Sequence, residues 1–236
     1  MKLAISIATY RRADNTTPFY LKRALDSIFN QTYSNFKIFL IGDRYENLTE
    51  INNLISHYPS SKLNFKNLPT ANERDNYSDK KAVWSYGGTN AINHSIKAAQ
   101  AEGFQYICHL DHDDHWKPNH LAEINNCIIR TGADWMCTKS THITPTRILP
   151  DFYSESKFVE GYPLSSKLIH SSVCMNFKKI PLLYRDLYAE TGKVGLPADA
   201  DLWERSRDFI KENNLKSYYI NEFTCYHDEE QYSKNN

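Results

Sequence analysis

Hydrophobic and polar positions change period repeatedly along the first half of the chain. From Lys2 to Ala8, Leu3, Ile5 and Ile7 alternate with smaller residues, which predicts a half-buried strand. Leu21, Ala24, Leu25 and Ile28 then recur at helical spacing. Thr17-Pro18 reads as the start of that helix, a capping hydroxyl followed by proline where its missing N–H costs nothing. Phe36 to Ile41 is a nearly continuous apolar run ending at Gly42-Asp43, a second strand. Leu48, Ile51, Leu54 and Ile55 form another helical stripe, and Leu63 to Leu68 a third strand. A helix from Thr89 carries Ala91, Ile92, Ser95, Ile96 and Ala99 inward. The strand Tyr106 to Leu110 breaks abruptly into Asp111-His112-Asp113-Asp114-His115. Pro118 opens a helix with Leu121, Ile124, Cys127 and Ile128 on one face, closed by Gly132.

Strands alternating with helices predict an α/β fold, a mainly parallel central sheet covered on both faces. From about residue 134 the pattern loosens into shorter pieces: a strand over Ser171 to Phe177, a helix after Asp199 and a strand-like run from Tyr218 to Tyr226. Lys139 to Tyr162 reads as an elaborated loop. No repeat or Gly/Ser linker divides the chain, so residues 1–236 are expected to form one domain. In open parallel sheets ligands bind beyond the carboxyl ends of the strands. That rule selects Thr9-Tyr10, Asp43 and the cluster from Asp111 to Asp114, expected to face one crevice. No GxGxxG follows the first strand and no Walker A sequence occurs, which argues against dinucleotide dehydrogenases and P-loop NTPases.

Composition narrows the classes further. The 236 residues carry 28 basic and 28 acidic side chains, so a nucleic-acid partner is not expected. No apolar run approaches the ~20 residues needed to span a bilayer, and Met1-Lys2-Leu3 enters the first strand with no signal-like region. Five widely spaced cysteines without a CxxC pair fit buried, reduced thiols rather than a zinc ribbon or a disulfide scaffold. Together these predict a cytoplasmic protein.

Chemistry concentrates in the 109–115 stretch. Carboxylates packed this closely repel one another unless a cation or hydrogen-bond donors hold them ionised, and hard oxygen ligands at a strand end suit Mg²⁺ or Mn²⁺ completed by substrate phosphates. A rival reading takes His112, Asp114 and His115 as part of the HxHxDH pattern of binuclear zinc hydrolases, although Leu110 stands where the first histidine belongs.

Six ordered segments resemble family 2 glycosyltransferases of the GT-A fold. They are Ala8-Thr9-Tyr10-Arg11-Arg12, the LKRALDSIFNQTY run from Leu21 to Tyr33, Gly42-Asp43-Arg44-Tyr45, Gly87-Gly88-Thr89-Asn90-Ala91-Ile92-Asn93, Asp111-His112-Asp113-Asp114 followed by Trp116, and Ala198-Asp199-Ala200-Asp201-Leu202-Trp203-Glu204-Arg205. The resemblance covers residues 3 to about 205. It implies a metal-dependent, inverting enzyme of hexosyltransferase type. The donor would be a nucleoside-diphosphate sugar (UDP, GDP or dTDP) bound by residues 1–116, and residues 117–236 would face a sugar or glycolipid acceptor. Peripheral membrane contact is compatible with such an acceptor.

By the same resemblance, Thr9 and Asp43 would contact base and ribose, with Tyr10, Arg11, Asn93 and His112 also donor-side. Asp111 would reach ribose or sugar, Asp113 would bind Mn²⁺ or Mg²⁺, and His227 would be a further metal or diphosphate contact beside the acidic run Asp228-Glu229-Glu230. Asp199 would be the general base, with Asp201 as its rival. His170, Trp203 and Asp201 are the acceptor-side candidates, and Trp84 and Tyr86 could stack on a sugar or base. Gly42 and Ile92 replace the family's usual aspartate and arginine. The alternatives are a non-catalytic sugar-nucleotide-binding relative, the zinc hydrolase, and a nucleotidyltransferase; for the last, the glycine-rich loop after the first strand is missing.

Overall fold

The computed structural model describes residues 1–142 and 144–227; the acidic run Asp228-Glu229-Glu230 lies outside them. The first half follows its hydrophobic periods closely. β1 is Leu3–Thr9, α1 Thr17–Phe29, β2 Phe36–Gly42, α2 Leu48–Ile55 and β3 Leu63–Asn67. Two short helices follow, α3 (Asn72–Asn76) and α4 (Lys80–Tyr86), then α5 (Thr89–Ala101), β4 (Tyr106–His109), the two-residue β5 (His115–Trp116) and α6 (His120–Thr131). Gly132 ends α6 in the left-handed conformation, φ 70°, open to a residue without a Cβ.

One mixed sheet runs β3-β2-β1-β4 and continues through three strands of the second half, β9 (Val173–Asn176), β6 (Trp135–His142) and β10 (Ser217–Tyr226), to β5. β1 pairs in parallel with β2 on one side and β4 on the other, so the chain reverses its winding direction at β1. The carboxyl ends of β1 and β4 therefore flank the switch point, where a crevice opens. The alternation of β1 sorts its side chains into two cores. Leu3, Ile5 and Ile7 pack with Leu21, Leu25 and Ile28 of α1 and with Leu121 and Ile124 of α6. Ala4, Phe39 and Ile107 face Ile96 and Ala99 of α5 and Leu202 and Trp203 of the long helix near the carboxyl end.

The second half is more regular than its sequence pattern suggests. β6 (Trp135–His142), β7 (Thr144–Leu149), β8 (Phe158–Glu160), β9 (Val173–Asn176) and β10 (Ser217–Tyr226) all join the sheet, with α7 (Leu187–Thr191) and α8 (Ala198–Glu212) between the last two strands. Lys139 to Tyr162 is thus no loop: it completes β6 and supplies β7 and β8. The β6 end is a run of polar residues, but Thr138, Ser140 and Thr141 are buried, and the strand is paired on both edges, with β9 and β10, and with β7 toward its end. Hydrogen bonding satisfies the backbone there, and hydrophobicity alone could not reveal it.

Helix starts show a second difference. Thr17 lies inside α1, and its hydroxyl does not cap it. The hydroxyl accepts from Arg12 N at 2.9 Å and donates to Tyr10 O at 3.0 Å, which ties the loop after β1 into a fixed course. The α2 stripe buries Ile51, whereas Leu48 is exposed.

Candidate active site

A cleft of about 660 Å³ lies over the switch point. It gathers side chains from the loops after β1, β2 and β4, from the glycine turn before α5, from the start of α8 and from the end of β10. Thr9, Tyr10, Asp43, Asp111, His112, Asp113, His170, Asp199 and His227 all line it.

The β1 and β2 ends meet through backbone, Asp43 N donating to Thr9 O at 2.7 Å. Asp43 is buried, and its Oδ2 accepts from Arg74 Nε at 2.9 Å. Burial raises the Asp43 carboxyl above its ordinary value, with Arg74 acting in the opposite direction. The Arg74 guanidinium lies 3.5 Å from the Tyr10 ring centroid, and His112 stands edge-on to the same ring at 5.3 Å between centroids. Sequence reasoning passed over Arg74 because α3 is too short to carry a periodic signal.

Of the paired arginines after β1, Arg12 enters the cleft, donating from Nη2 to Asp113 Oδ2 at 2.7 Å. Arg11 turns away to Glu50 Oε1 at 3.2 Å, an oxygen that also accepts from Tyr45 OH at 2.8 Å. The loop geometry set by Thr17 decides between the two, a long-range outcome that adjacent arginines in a sequence cannot announce.

The 109–115 stretch splits its side chains among different partners. Asp111 Oδ1 lies 2.8 Å from His170 Nδ1, and His170 Nε2 lies 2.8 Å from Tyr184 OH. Burial alone would lower the His170 pKa, but the facing Asp111 carboxylate holds it above the ordinary value. Burial likewise works to raise Asp111, yet the His170 contact leaves it lowered. Asp114 is fully buried and faces His227 Nδ1 at 3.1 Å. His227 is pushed up to about 9: burial opposes its charge, and the Asp114 carboxylate outweighs that. His112 Nδ1 sits 3.3 Å from Ala8 O, and burial lowers its pKa. His115 leaves the cleft altogether and stacks on Tyr226 at 4.7 Å. His112, Asp114 and His115 therefore do not converge, and among the described residues no three His, Cys, Asp or Glu side chains form a metal cage.

Asp199 and Asp201 separate cleanly. Asp199, in the first turn of α8, lines the cleft, and burial raises its pKa with His170 opposing. Asp201 points into the protein, where it accepts from Arg185 at 2.5 and 3.1 Å and from Arg205 at 2.7 Å. Trp203 is fully buried in the core beneath His109 and His170, outside the cleft lining. Asn93 is also occupied internally, donating to Tyr184 O at 2.9 Å and accepting from Tyr184 N at 3.0 Å. It thereby steadies the tyrosine behind His170, while Ile92 takes the cleft-facing position. Trp84 lines the cleft and is exposed; Tyr86 is buried, its hydroxyl accepting from Gly195 N at 2.9 Å.

Comparison with known proteins adds to this geometry. The model of the family described as glycosyl transferase family 2 matches residues 5–158. The chain is 37% identical over 248 residues to an uncharacterized glycosyltransferase, R139, of Acanthamoeba polyphaga mimivirus, covering 100% of this chain and 97% of that one. An uncharacterized glycosyltransferase of Rickettsia typhi, RT0329, is 26% identical over 214 residues, covering 85% of this chain and 57% of that one. Among solved structures, S. aureus TarS 1-349 in complex with UDP-GlcNAc superposes with a TM-score of 0.70 at 15% identity, covering 96% of this chain and 58% of that one. The mannosyltransferase PcManGT of Pyrobaculum calidifontis, in complex with GDP-Man and Mn²⁺, gives 0.58 at 10% identity, with 96% and 56% covered. These two likenesses show the shared GT-A fold, and the chain spans less than two thirds of either solved chain.

Proposed function

Because this chain belongs to glycosyl transferase family 2, we propose that its cleft moves a sugar from a nucleoside-diphosphate donor to an acceptor hydroxyl, with inversion at the anomeric carbon. The observation that carries this reading is the meeting of Asp43, Asp111, Asp113 and Asp199 in one cleft although they come from widely separated segments. Residues 1–116 would supply the donor side and residues 117–236 most of the acceptor side. The relatives that bind UDP, UDP-GlcNAc or GDP-Man support a nucleotide-sugar donor here.

The oxygen donor set fits a hard divalent cation. Asp111 and Asp113 line the cleft, with no closed protein cage around them among the described residues, and Mg²⁺ or Mn²⁺ commonly takes one or two carboxylates plus substrate phosphates. Asp113 would hold the ion, with His227 nearby. When bound, such an ion neutralises charge on the departing diphosphate. Arg12, beside Asp113, adds positive charge at the same end of the cleft.

Asp199 is the base in this reading. Its raised pKa makes it a stronger proton acceptor than an ordinary carboxylate. It takes the acceptor hydroxyl proton as that oxygen bonds to the anomeric carbon, while the bond to the diphosphate oxygen breaks on the opposite face. Asp201 holds Arg185 and Arg205 and serves stability. The expected outcome is that Asp199→Asn slows transfer by about 10²–10⁴-fold with donor binding retained by calorimetry. Asp201→Asn should instead lower the thermal midpoint, through loss of a buried ion pair worth about 1–3 kcal/mol. A near-normal rate in Asp199→Asn removes the base from this residue, and a product of retained anomeric configuration removes the inverting mechanism.

A further inference from the structure

His170 and Ser171 hold the same residue from neighbouring positions. Ser171 Oγ accepts from the Asp111 backbone N–H at 2.9 Å, and His170 Nδ1 lies 2.8 Å from Asp111 Oδ1. The tight turn that carries them, His170–Ser172, is anchored in its own right, since Ser171 O accepts from Trp116 Nε1 at 2.7 Å. Asp111 is thus tied down by backbone and by side chain from a turn in the other half of the chain.

Behind His170 the hold continues. Its Nε2 lies 2.8 Å from Tyr184 OH, and Tyr184 is 4% exposed. Asn93 of α5 fixes that tyrosine through two hydrogen bonds to its backbone, 2.9 Å to the carbonyl and 3.0 Å from the N–H. The imidazole packs against His109 at 4.8 Å between centroids and against Trp203 at 6.2 Å. A strut therefore runs from α5 through Tyr184 and His170 to Asp111, and every member of it has a fixed neighbour.

The direction of these hydrogen bonds follows from the groups. A carboxylate only accepts, so the proton facing Asp111 sits on Nδ1. A tyrosine hydroxyl gives or takes a hydrogen bond, so it satisfies Nε2 whether or not that nitrogen carries a proton. The hold is consequently independent of the charge on the imidazole. With both nitrogens engaged and 9% exposure, His170 keeps no polar atom for an acceptor sugar. Asp111 differs: His170 takes only Oδ1, and the aspartate side chain is 41% exposed in the cleft. One oxygen is spent on the strut, which leaves the other to the cleft. A carboxylate held in this way meets a ligand without first having to be ordered.

We propose that His170, set in place by Tyr184, is a positioning residue of the sugar transfer: it fixes the Asp111 carboxylate so that one oxygen is presented to the donor, and it makes no contact with the acceptor. The proposal rests on the reading of the cleft as a nucleotide-sugar site. It gives the histidine a task on the donor side although its turn belongs to the acceptor-side half.

Two substitutions of similar polarity separate the arms of the strut. The amide nitrogen of asparagine falls where imidazole Nδ1 lies, and that of glutamine where Nε2 lies. His170→Asn therefore keeps the bond to Asp111 and His170→Gln the bond to Tyr184, while both lose the ring and its packing. Tyr184→Phe removes only the hydroxyl. Calorimetric affinity and the rate of nucleoside-diphosphate release are measured on the intact chain with UDP-, GDP- and dTDP-hexoses and Mn²⁺, water serving as the acceptor. Water makes the assay blind to any contact with an acceptor sugar. His170→Gln should lose about 10–100-fold in rate, the range found when a partner that orients a ligand-binding side chain is removed, and its donor binding should weaken. His170→Asn and Tyr184→Phe lose only the rear bond and should fall by about 2–10-fold. Equal losses in His170→Asn and His170→Gln that follow the thermal midpoint overturn the proposal in favour of a purely structural role. Unchanged donor binding and release in His170→Gln overturn it as well, and a fall confined to transfer onto methyl hexosides then returns His170 to the acceptor. Neither binding nor release of any donor by the folded, unaltered chain overturns the nucleotide-sugar reading, and the role of His170 with it.

Discussion

Single residues at the β2 end show how a departure from a family pattern can have a packing cause. Gly42 stands where an aspartate is usual, and a Cβ there would lie 2.2 Å from Asn67 Oδ1. That amide oxygen accepts from Tyr45 N at 2.8 Å, and Asn67 Nδ2 donates to Tyr45 O at 3.1 Å, so Asn67 fixes the turn that presents Asp43. Gly42→Ala should displace Asn67 and cost about 1–3 kcal/mol of stability. In urea denaturation, adding Asn67→Ala to that variant should cost less than it does alone, because the two residues share one contact. Equal, additive costs would show that the close approach is not felt. At this scale the sequence named the cleft residues well at strand ends: Thr9, Asp43, Asp111 and Asp113 lie where the strand-end rule puts them. It named them poorly where side-chain direction decides. Arg11 and Arg12, or Asp199 and Asp201, are the same residue types one or two positions apart, and the partners that separate them are remote in the chain.

At the scale of elements, short helices are the least legible, and α3 carries a feature with a measurable consequence. Glu73 on α3 is 4% exposed; its Oε1 accepts from Asn90 N at 2.9 Å, capping the first turn of α5, while its Oε2 is buried without a partner among the described residues. Burial pushes its pKa up to about 7 from an ordinary 4.5. The sign follows from proton linkage. Below pH 4.5 both folded and unfolded forms are protonated and this group contributes no pH dependence. Between 4.5 and 7 the unfolded chain releases the proton and the folded one keeps it, so stability falls as pH rises, and the loss is complete above 7. The shift corresponds to a loss on the order of 3 kcal/mol. Chemical denaturation at pH 5 and pH 8 should show that loss in the unaltered chain and a much smaller one in Glu73→Gln. Parallel pH profiles for the two would exclude Glu73 as the source. Longer elements such as α1, α5 and α6 were readable from their periodic faces, since a helix of three turns repeats its apolar positions often enough to stand out. A five-residue helix does not.

Across the whole molecule, all five cysteines are buried and free, distributed over β4, α6, β6, β9 and β10. Burial pushes the Cys127 thiol up to about 11 and holds Cys137, Cys174 and Cys225 well above the ordinary thiol value. Thiol reagents should therefore find none of the five in the native protein at neutral pH and all five after denaturation, because the thiolate is the reacting form and access requires opening. Rapid native labelling of any one would locate a region that opens independently of global unfolding. No helix among the described residues is long and apolar enough to cross a membrane, and the single sheet joins both halves of the chain through β4 and β9.

The sequence by itself determined the longer first-half elements, their largely parallel arrangement and the kind of residues gathered at the strand ends. Those depend on local period and on residue type, which a linear chain displays. The tertiary structure alone decided that Arg74 holds Asp43, that Arg12 and not Arg11 enters the cleft, that Asp201, Asn93 and Trp203 serve the scaffold, and that the Lys139 to Tyr162 segment supplies the end of β6 and all of β7 and β8 to the sheet. Each of these turns on a partner far away in sequence, and hydrogen bonds between such partners have no periodicity for the chain to reveal.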